Sequence, residues 1–163
     1  MMRFLSDLWI PLPRAFSIAA EFALNSSLRT AFEDIENFDL GRIHNLMEEG
    51  RMQQVTLDSA TLAFALRRTI KRLSEALVET PTDLELMKKL EAAAGLARSF
   101  EVNVWKAQNN YYQLLHKIYP ERLETALAGD AEARAWVEHF VALGRNLSVN
   151  VETPVMPELQ LAS

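Results

Sequence analysis

Apolar residues recur at steps of three and four along most of the chain, which is the spacing of helices that bury one face. The clearest example runs from Asp58 to Glu79. Its apolar line consists of Leu62, Leu66, Ile70, Leu73 and Leu77, and the charged side chains mostly opposite are Arg67, Arg68, Lys71, Arg72 and Glu75. Because the two lines separate, this stretch is predicted to be an amphipathic helix.

Two shorter helices are predicted nearer the N-terminus. Pro13 can occupy the first turn of the first helix, where its missing N–H has no acceptor. The predicted inward side chains of this helix are Phe16, Ala19, Ala20, Ala23 and Leu24. The stretch Asn25-Ser26-Ser27 favours a break, because these side chains bond to local backbone. A second helix is then expected from Ser26 to Glu36, with Leu28, Phe32 and Ile35 inward.

Capping residues predict where later helices begin. Asp39 and Asp130 each precede an apolar run, and Thr82 with Glu85 forms the pattern of a capping box. The inward residues of these three helices are predicted to be Leu40, Ile43, Leu46 and Met47, then Leu86, Leu90, Ala93, Ala94 and Ala97, then Ala133, Trp136, Val137, Phe140 and Leu143. A short helix before Asp130 is expected to stop at Gly129.

Together these patterns predict an all-α fold, a bundle of six to eight helices. Leu147, Val149 and Val151 alternate with polar residues, so a short extended or strand-like C-terminal tail is expected. At 163 residues the chain is long enough for one domain with its own core. The expected organisation is a single helical domain over 1–163, with an extended segment 1–12, a helical bundle 13–146 and an extended tail 147–163.

Composition narrows the class of protein. Hydrophobic residues make up 49% and charged residues 24%, as in ordinary folded proteins. A net charge of −5 argues against a dedicated nucleic-acid binder. The absence of Cys excludes disulfides and a thiolate site. Charged residues and prolines interrupt the apolar N-terminus, so neither a signal peptide nor a membrane span is expected and a cytoplasmic location is the default.

One predicted helix, over roughly 102–118, combines aromatic rings with side-chain amides. Its apolar stripe consists of Val104, Ala107, Tyr111, Leu114, Leu115 and Ile118. Trp105, Asn109 and Tyr112 recur at steps of four and three on an adjacent face, where a solvated helix would usually carry Lys and Glu. An aromatic ring stacks on an apolar face, and an amide both donates and accepts hydrogen bonds.

These residues have two interpretations. In the first, Trp105 and Tyr112 stack on a sugar or a partner protein, and Gln108 or Asn109 supplies hydrogen bonds. In the second, the rings pack in the core and the amides tie one helix to its neighbour, which is the more frequent role of such residues. Burial of Trp105 and Tyr112 would leave only the packing role.

No catalytic, metal or cofactor site is predicted. His44 and Glu48 share a helix face, but such pairs are usually surface hydrogen bonds. A di-iron site would need Glu three residues before His, and no histidine of the chain has one. The five glycines are scattered, so phosphate loops and nucleophile elbows are absent. The cations at 67–72 can hold a phosphate or an acidic partner, although a solvated outer helix face is the ordinary interpretation.

Three segments resemble a helical domain of unknown function in large bacterial proteins related to glycoside hydrolase family 57. They are Ala20–Arg29, Phe100–Asn109 with Tyr111 and Tyr112, and Gly129–Val137, and the resemblance extends over roughly 11–151. In those proteins a catalytic barrel precedes the helical domain. The catalytic carboxylates and histidines lie in the barrel, so no catalytic residue is carried over to this chain.

The resemblance implies a C-terminal accessory domain that packs on the barrel of its parent chain, a glycoside hydrolase or glucanotransferase. Its partners would then be the barrel and a glucan or oligosaccharide, and the domain would line part of the barrel's sugar cleft. An exposed apolar docking patch, through which the isolated chain can form a homodimer, is also expected. Two alternatives stay open: a free-standing helical module that binds a protein partner, and a metalloenzyme built on His44 and Glu48.

Overall fold

A computed structural model describes residues 14–151, and within this range the chain forms seven α-helices and no strand. The helices are α1 (Arg14–Glu33), α2 (Leu40–Met52), α3 (Ser59–Glu79), α4 (Leu84–Ala97), α5 (Trp105–Lys117), α6 (Tyr119–Leu127) and α7 (Ala131–Asn146). The predicted all-α class is confirmed, and the seven helices of the described residues agree with the predicted six to eight. Of the predicted strand-like tail, 147–151 is described and contains no strand. The segments 1–13 and 152–163 lie outside the described residues.

The described residues fall into two compact units, one up to Leu66 and the other from Arg67 onwards, and α3 has residues in both. The single-domain organisation stays a prediction. None of the helices within 14–151 combines the length and apolar character needed to cross a bilayer.

In the first unit, α1 packs against α2. The buried stripe of α1 follows Ala20, Leu24, Leu28 and Phe32, and Ile43 is buried on α2. Gly50 of α2 permits a close approach, since a Cβ at this position would lie 2.6 Å from Leu24 Cδ2. The absence of a side chain at Gly50 therefore lets the leucine reach the α2 backbone.

The predicted break at Asn25-Ser26-Ser27 is wrong, because α1 runs through it. The Asn25 amide donates to the Glu21 carbonyl at 2.9 Å and to the Thr56 carbonyl at 3.1 Å. Its oxygen accepts from the Asp58 N–H at 2.7 Å. These last two partners lie more than thirty residues along the chain, so tertiary bonds replace the local ones that would end the helix.

The predicted inward face of the first helix is also partly wrong. Ala20 and Leu24 are buried, whereas Phe16, Ala19 and Ala23 are exposed. Ala19 and Ala23 lie on the neighbouring face, because the covered stripe advances at steps of four from Ala20. Phe16 lies on the line of that stripe but one turn earlier, before its buried part begins.

In the second unit, α7 packs against α4 and α6, and α6 also contacts α5. Its centre is a set of four stacked rings, here called the aromatic core: Tyr111, Tyr119, Trp136 and Phe140. The Phe140 ring lies 4.3 Å from the Tyr111 ring, 4.8 Å from the Trp136 ring and 5.3 Å from the Tyr119 ring, measured between centroids. All the inward residues predicted for α7 are buried, so this prediction is confirmed.

Two polar atoms of the aromatic core are bonded to backbone, whereas the buried Tyr119 hydroxyl has no hydrogen-bond partner among the described residues. The Tyr111 hydroxyl donates to the Phe140 carbonyl at 2.8 Å, and the Trp136 indole donates to the Pro81 carbonyl at 2.7 Å. A buried donor without an acceptor would destabilise the fold, so these bonds permit large amphipathic rings in the interior.

The caps at Asp39 and Asp130 are confirmed, since each carboxylate accepts an N–H from the first turn of its helix. The cap of α4 is Asp83 and not Thr82, because the Asp83 carboxylate accepts the Leu86 N–H at 3.0 Å. Either residue type can cap a helix, so the sequence pattern missed the start by one residue.

Three helix ends adopt the left-handed conformation without a glycine. Gln54, Glu101 and Ser148 adopt the left-handed conformation usually taken by Gly after a helix. The next residue in each case is a valine, whose N–H bonds back to a carbonyl of the last turn at 2.8–2.9 Å. Because no Gly marks these positions, the usual stop signal is absent.

Candidate functional site

Helix α5 sorts its side chains into two faces. Asn103 precedes the helix and accepts the Trp105 N–H at 3.1 Å, which helps to begin the first turn. The apolar stripe predicted from the sequence faces inward: Ala107, Tyr111 and Leu114 are buried, and Val104, Leu115 and Ile118 are half-buried.

The second face of α5, here called the outer aromatic face, consists of Trp105, Asn109 and Tyr112. The exposed fraction is 54% for Trp105 and 46% for Tyr112, and Asn109 is also exposed. Residues at steps of four and three lie on the same side of a helix, so the three are neighbours on the surface. Core packing therefore does not account for these two rings.

Gln108, for which the sequence also suggests hydrogen bonds to a ligand, has an internal partner. It is half-buried and donates to the Leu147 carbonyl at 2.7 Å. Asn110 likewise donates to the Ser74 hydroxyl at 3.0 Å. These two amides connect α5 to the end of α7 and to α3. This is the packing role of the second interpretation, in which amides tie one helix to its neighbour.

A cleft of about 360 Å³ lies beside Trp105, within the second unit. It is lined by Arg67, Arg68, Ile70 and Lys71 of α3 and by Asn103, Val104, Trp105, Lys106 and Ala107 at the start of α5. Among the described residues, four cations belong to this lining, and the space is here called the cationic cleft. The Lys106 Nζ lies 5.7 Å from the centroid of the Trp105 ring, and the Lys71 Nζ lies 3.7 Å from a carboxylate oxygen of Glu75.

Sequence reasoning missed the cationic cleft. For the basic residues at 67–72 it named a phosphate or an acidic partner as one role but favoured a solvated helix face, whereas three of them line the cleft with residues 103–107. No local pattern could have found this, because the two segments are more than thirty residues apart and only the fold brings them together.

Among residues 14–151, no group of three or more His, Cys, Asp and Glu side chains is placed to hold a metal ion. The Glu48 carboxylate accepts a hydrogen bond from Arg51 Nε at 3.1 Å, and this bond lowers the pKa of Glu48. Glu91 Oε2 lies 2.6 Å from Nδ1 of His139, on a different helix. Glu48 and Glu91 therefore each contact another side chain of the protein.

Comparisons with protein-family models, with curated proteins and with solved structures found no match.

Proposed function

We propose that this chain is a non-catalytic helical accessory domain of a carbohydrate-active protein related to glycoside hydrolase family 57. The observation that carries the proposal is the outer aromatic face, which presents two rings and an amide to solvent on a helix whose third ring, Tyr111, is buried. Such a surface fits a neutral, polyhydroxylated ligand better than a charged one.

In this function each residue of the face has a simple role. The rings of Trp105 and Tyr112 cover the apolar C–H face of a sugar, and Asn109 exchanges hydrogen bonds with its hydroxyls. The chemistry of bond cleavage belongs to the catalytic barrel of the parent chain. The domain supports that barrel and lines part of its sugar cleft.

An apolar surface in the first unit supports docking on the barrel. Phe16, Ile18 and Phe22 of α1 are exposed by 59%, 59% and 74%. Ile18 and Phe22 are four positions apart and lie on the same side of α1, as in an apolar patch that meets another protein. We assign this stretch of α1 as the surface that packs on the barrel.

The sugar contact is tested by titrating the chain with maltohexaose and following the backbone and indole resonances by NMR. We expect the Trp105 indole and the amides near Asn109 and Tyr112 to shift. A Trp105→Ala/Tyr112→Ala variant should lose these shifts at Asn109, whereas the control Lys117→Ala, on the same helix, should keep them. Unchanged spectra at millimolar maltohexaose would contradict sugar contact by this domain.

A second candidate is a free-standing module that binds a protein partner, and the same exposed side chains of α1 favour it. The candidates differ in the coding sequence upstream of this chain, since only the first requires an in-frame barrel.

Analytical ultracentrifugation gives a further test of the exposed surface of α1. A concentration-dependent dimer that Phe22→Ser disrupts, and that Leu127→Ser leaves intact, would identify α1 as its contact; Leu127 is an exposed apolar residue elsewhere.

A further inference from the structure

The cationic cleft gathers positive side chains on a chain whose net charge is negative. The whole sequence carries a net charge of −5, yet the described lining of one space of about 360 Å³ includes the cations Arg67, Arg68, Lys71 and Lys106. Of these, Lys71 also lies 3.7 Å from a carboxylate oxygen of Glu75. Cations gathered around one cleft raise the local positive potential, and that potential attracts anions. The arrangement therefore favours an anionic ligand.

The start of α5 adds to this potential. Trp105, Lys106 and Ala107 are the first three residues of the helix, and all line the cleft. Their N–H groups belong to the first turn, which has no intrahelical acceptors. Val104 supplies no side-chain cap, and Asn103 accepts the N–H of Trp105. The positive end of the helix dipole thus lies at the same space as the four cations.

Size and shape indicate a small ligand that carries a ring. The volume lies in the range of small-molecule sites, about 300–1,000 Å³. Trp105 forms part of the lining and is half exposed, so its ring is accessible for stacking. Arginine binds phosphate oxygens in a bidentate manner, and two arginines line this cleft.

We propose that the cationic cleft binds a phosphate ester carried on a sugar or a nucleoside. The side chains of Arg67, Arg68, Lys71 and Lys106 hold the phosphate, and Trp105 stacks on the attached ring. The inference goes beyond the proposed function, because the cations of the cleft determine which ligand binds. Asn109 and Tyr112, which contact the sugar in the proposed function, do not contact the phosphate ester.

The test is an NMR titration of the whole chain with three probes: inorganic phosphate, glucose 6-phosphate and AMP. All three should shift the amides of residues 103–107, and binding should weaken as ionic strength rises to about 0.15 M. Either glucose 6-phosphate or AMP should bind more tightly than inorganic phosphate, and the tighter of the two identifies the attached group. Glucose alone should not shift these amides.

Two matched variants separate the cleft from general surface charge. Lys71→Gln/Lys106→Gln removes two cations of the cleft, and we expect binding of the phosphate esters to weaken by at least about tenfold. Arg72→Gln/Lys117→Gln removes two exposed cations of the same helices that do not line the cleft, and should leave the affinity nearly unchanged. Trp105→Ala should remove the advantage of the esters over inorganic phosphate.

Equal weakening by both double variants would overturn the inference. A hexaglutamate peptide would also overturn it if it bound as tightly as the esters and its affinity did not change in Trp105→Ala. Tyr112→Ala distinguishes this inference from the proposed function, since it should impair maltohexaose binding and leave the phosphate esters unaffected. Maltohexaose binding without any response to the three phosphate probes would refute the inference and leave the proposed function standing.

Discussion

The aromatic core and the outer aromatic face contain the same kinds of residue in opposite environments. Tyr111 and Tyr112 are neighbours in sequence, but Tyr111 is buried and stacked on Phe140, whereas Tyr112 is exposed by 46%. Trp136 donates its indole N–H to Pro81, and Trp105 lies at the surface beside the cationic cleft.

This difference shows that residue type alone does not decide the role of an aromatic side chain in a helical protein. A rotation of about 100° between successive helix positions separates the two tyrosines. One ring is therefore required for stability, and the other is available for binding. Substitutions in the aromatic core and on the outer aromatic face should therefore differ in their effect on stability.

The largest effect is expected from removing a central ring. Phe140→Ala should lower the free energy of unfolding by about 3–5 kcal/mol, because it deletes the ring on which three others stack. The matched change on the outer face, Trp105→Ala, should stay within about 0.5 kcal/mol of the parent chain. Urea denaturation followed by circular dichroism measures both, and similar losses for the two variants would contradict the division.

A pair of glycines provides the next comparison. A Cβ at Gly144 would collide with the Tyr111 hydroxyl, so Gly144→Ala should destabilise the chain by about 1–3 kcal/mol. At Gly95 the nearest atom to an added Cβ is 3.4 Å away, and the better helix propensity of Ala should stabilise by up to about 1 kcal/mol. Thermal unfolding of both variants should show shifts of opposite sign, and a stabilising Gly144→Ala would refute the packing described.

The two tyrosines can be compared by removing a single oxygen. Tyr111→Phe loses the hydrogen bond to the Phe140 carbonyl and should cost about 1 kcal/mol. Tyr112→Phe should have almost no effect on the free energy of unfolding, because its side chain is exposed. An equal loss for both in urea denaturation would show that Tyr112 also supports the fold.

Alkaline pH sharpens the same comparison. Burial raises the pKa of Tyr111 above its ordinary value of 10.0, and burial also raises the pKa of Tyr119. As pH rises above about 10, the unfolded chain loses these protons first, so stability present below that pH is progressively lost. The advantage of the parent chain over Tyr111→Phe should therefore shrink between about pH 10 and 11. If the difference in free energy of unfolding between the two chains widened over this range, it would contradict the burial of Tyr111.

The smallest effect is expected at the turn between α4 and α5. Glu101 adopts a φ of 52°, which a side chain disfavours. Glu101→Gly should therefore stabilise the chain by about 0.5 kcal/mol, the strain relieved being partly offset by greater freedom in the unfolded state. Glu101→Ala keeps the strain and serves as the control. A lower melting temperature for the glycine variant than for the alanine variant would contradict this account.

The sequence predicted those features that depend on periodicity alone. All five apolar residues predicted for α3 are buried, and the inward stripe of α5 is buried or half-buried. Periodicity succeeds there because each helix has one covered side. It also placed Trp105 and Tyr112 on a face distinct from that of Tyr111.

Features that depend on distant partners could not be predicted. Asn25 resembles a helix breaker until the loop at 56–58 supplies its hydrogen-bond partners. Gln108 resembles a ligand-binding amide until Leu147 is placed beside it. The cationic cleft likewise needs residues from α3 and from the start of α5. In each case the missing information is a contact between segments far apart in sequence.

The most direct test of the division is hydrogen exchange of the indole N–H groups, resolved by NMR. Trp136 donates to a backbone carbonyl from a buried position, so its indole should exchange at least about 10³ times more slowly than that of the exposed Trp105. Comparable protection of the two indoles would contradict the account, because Trp105 would then belong to the interior and not to a binding surface.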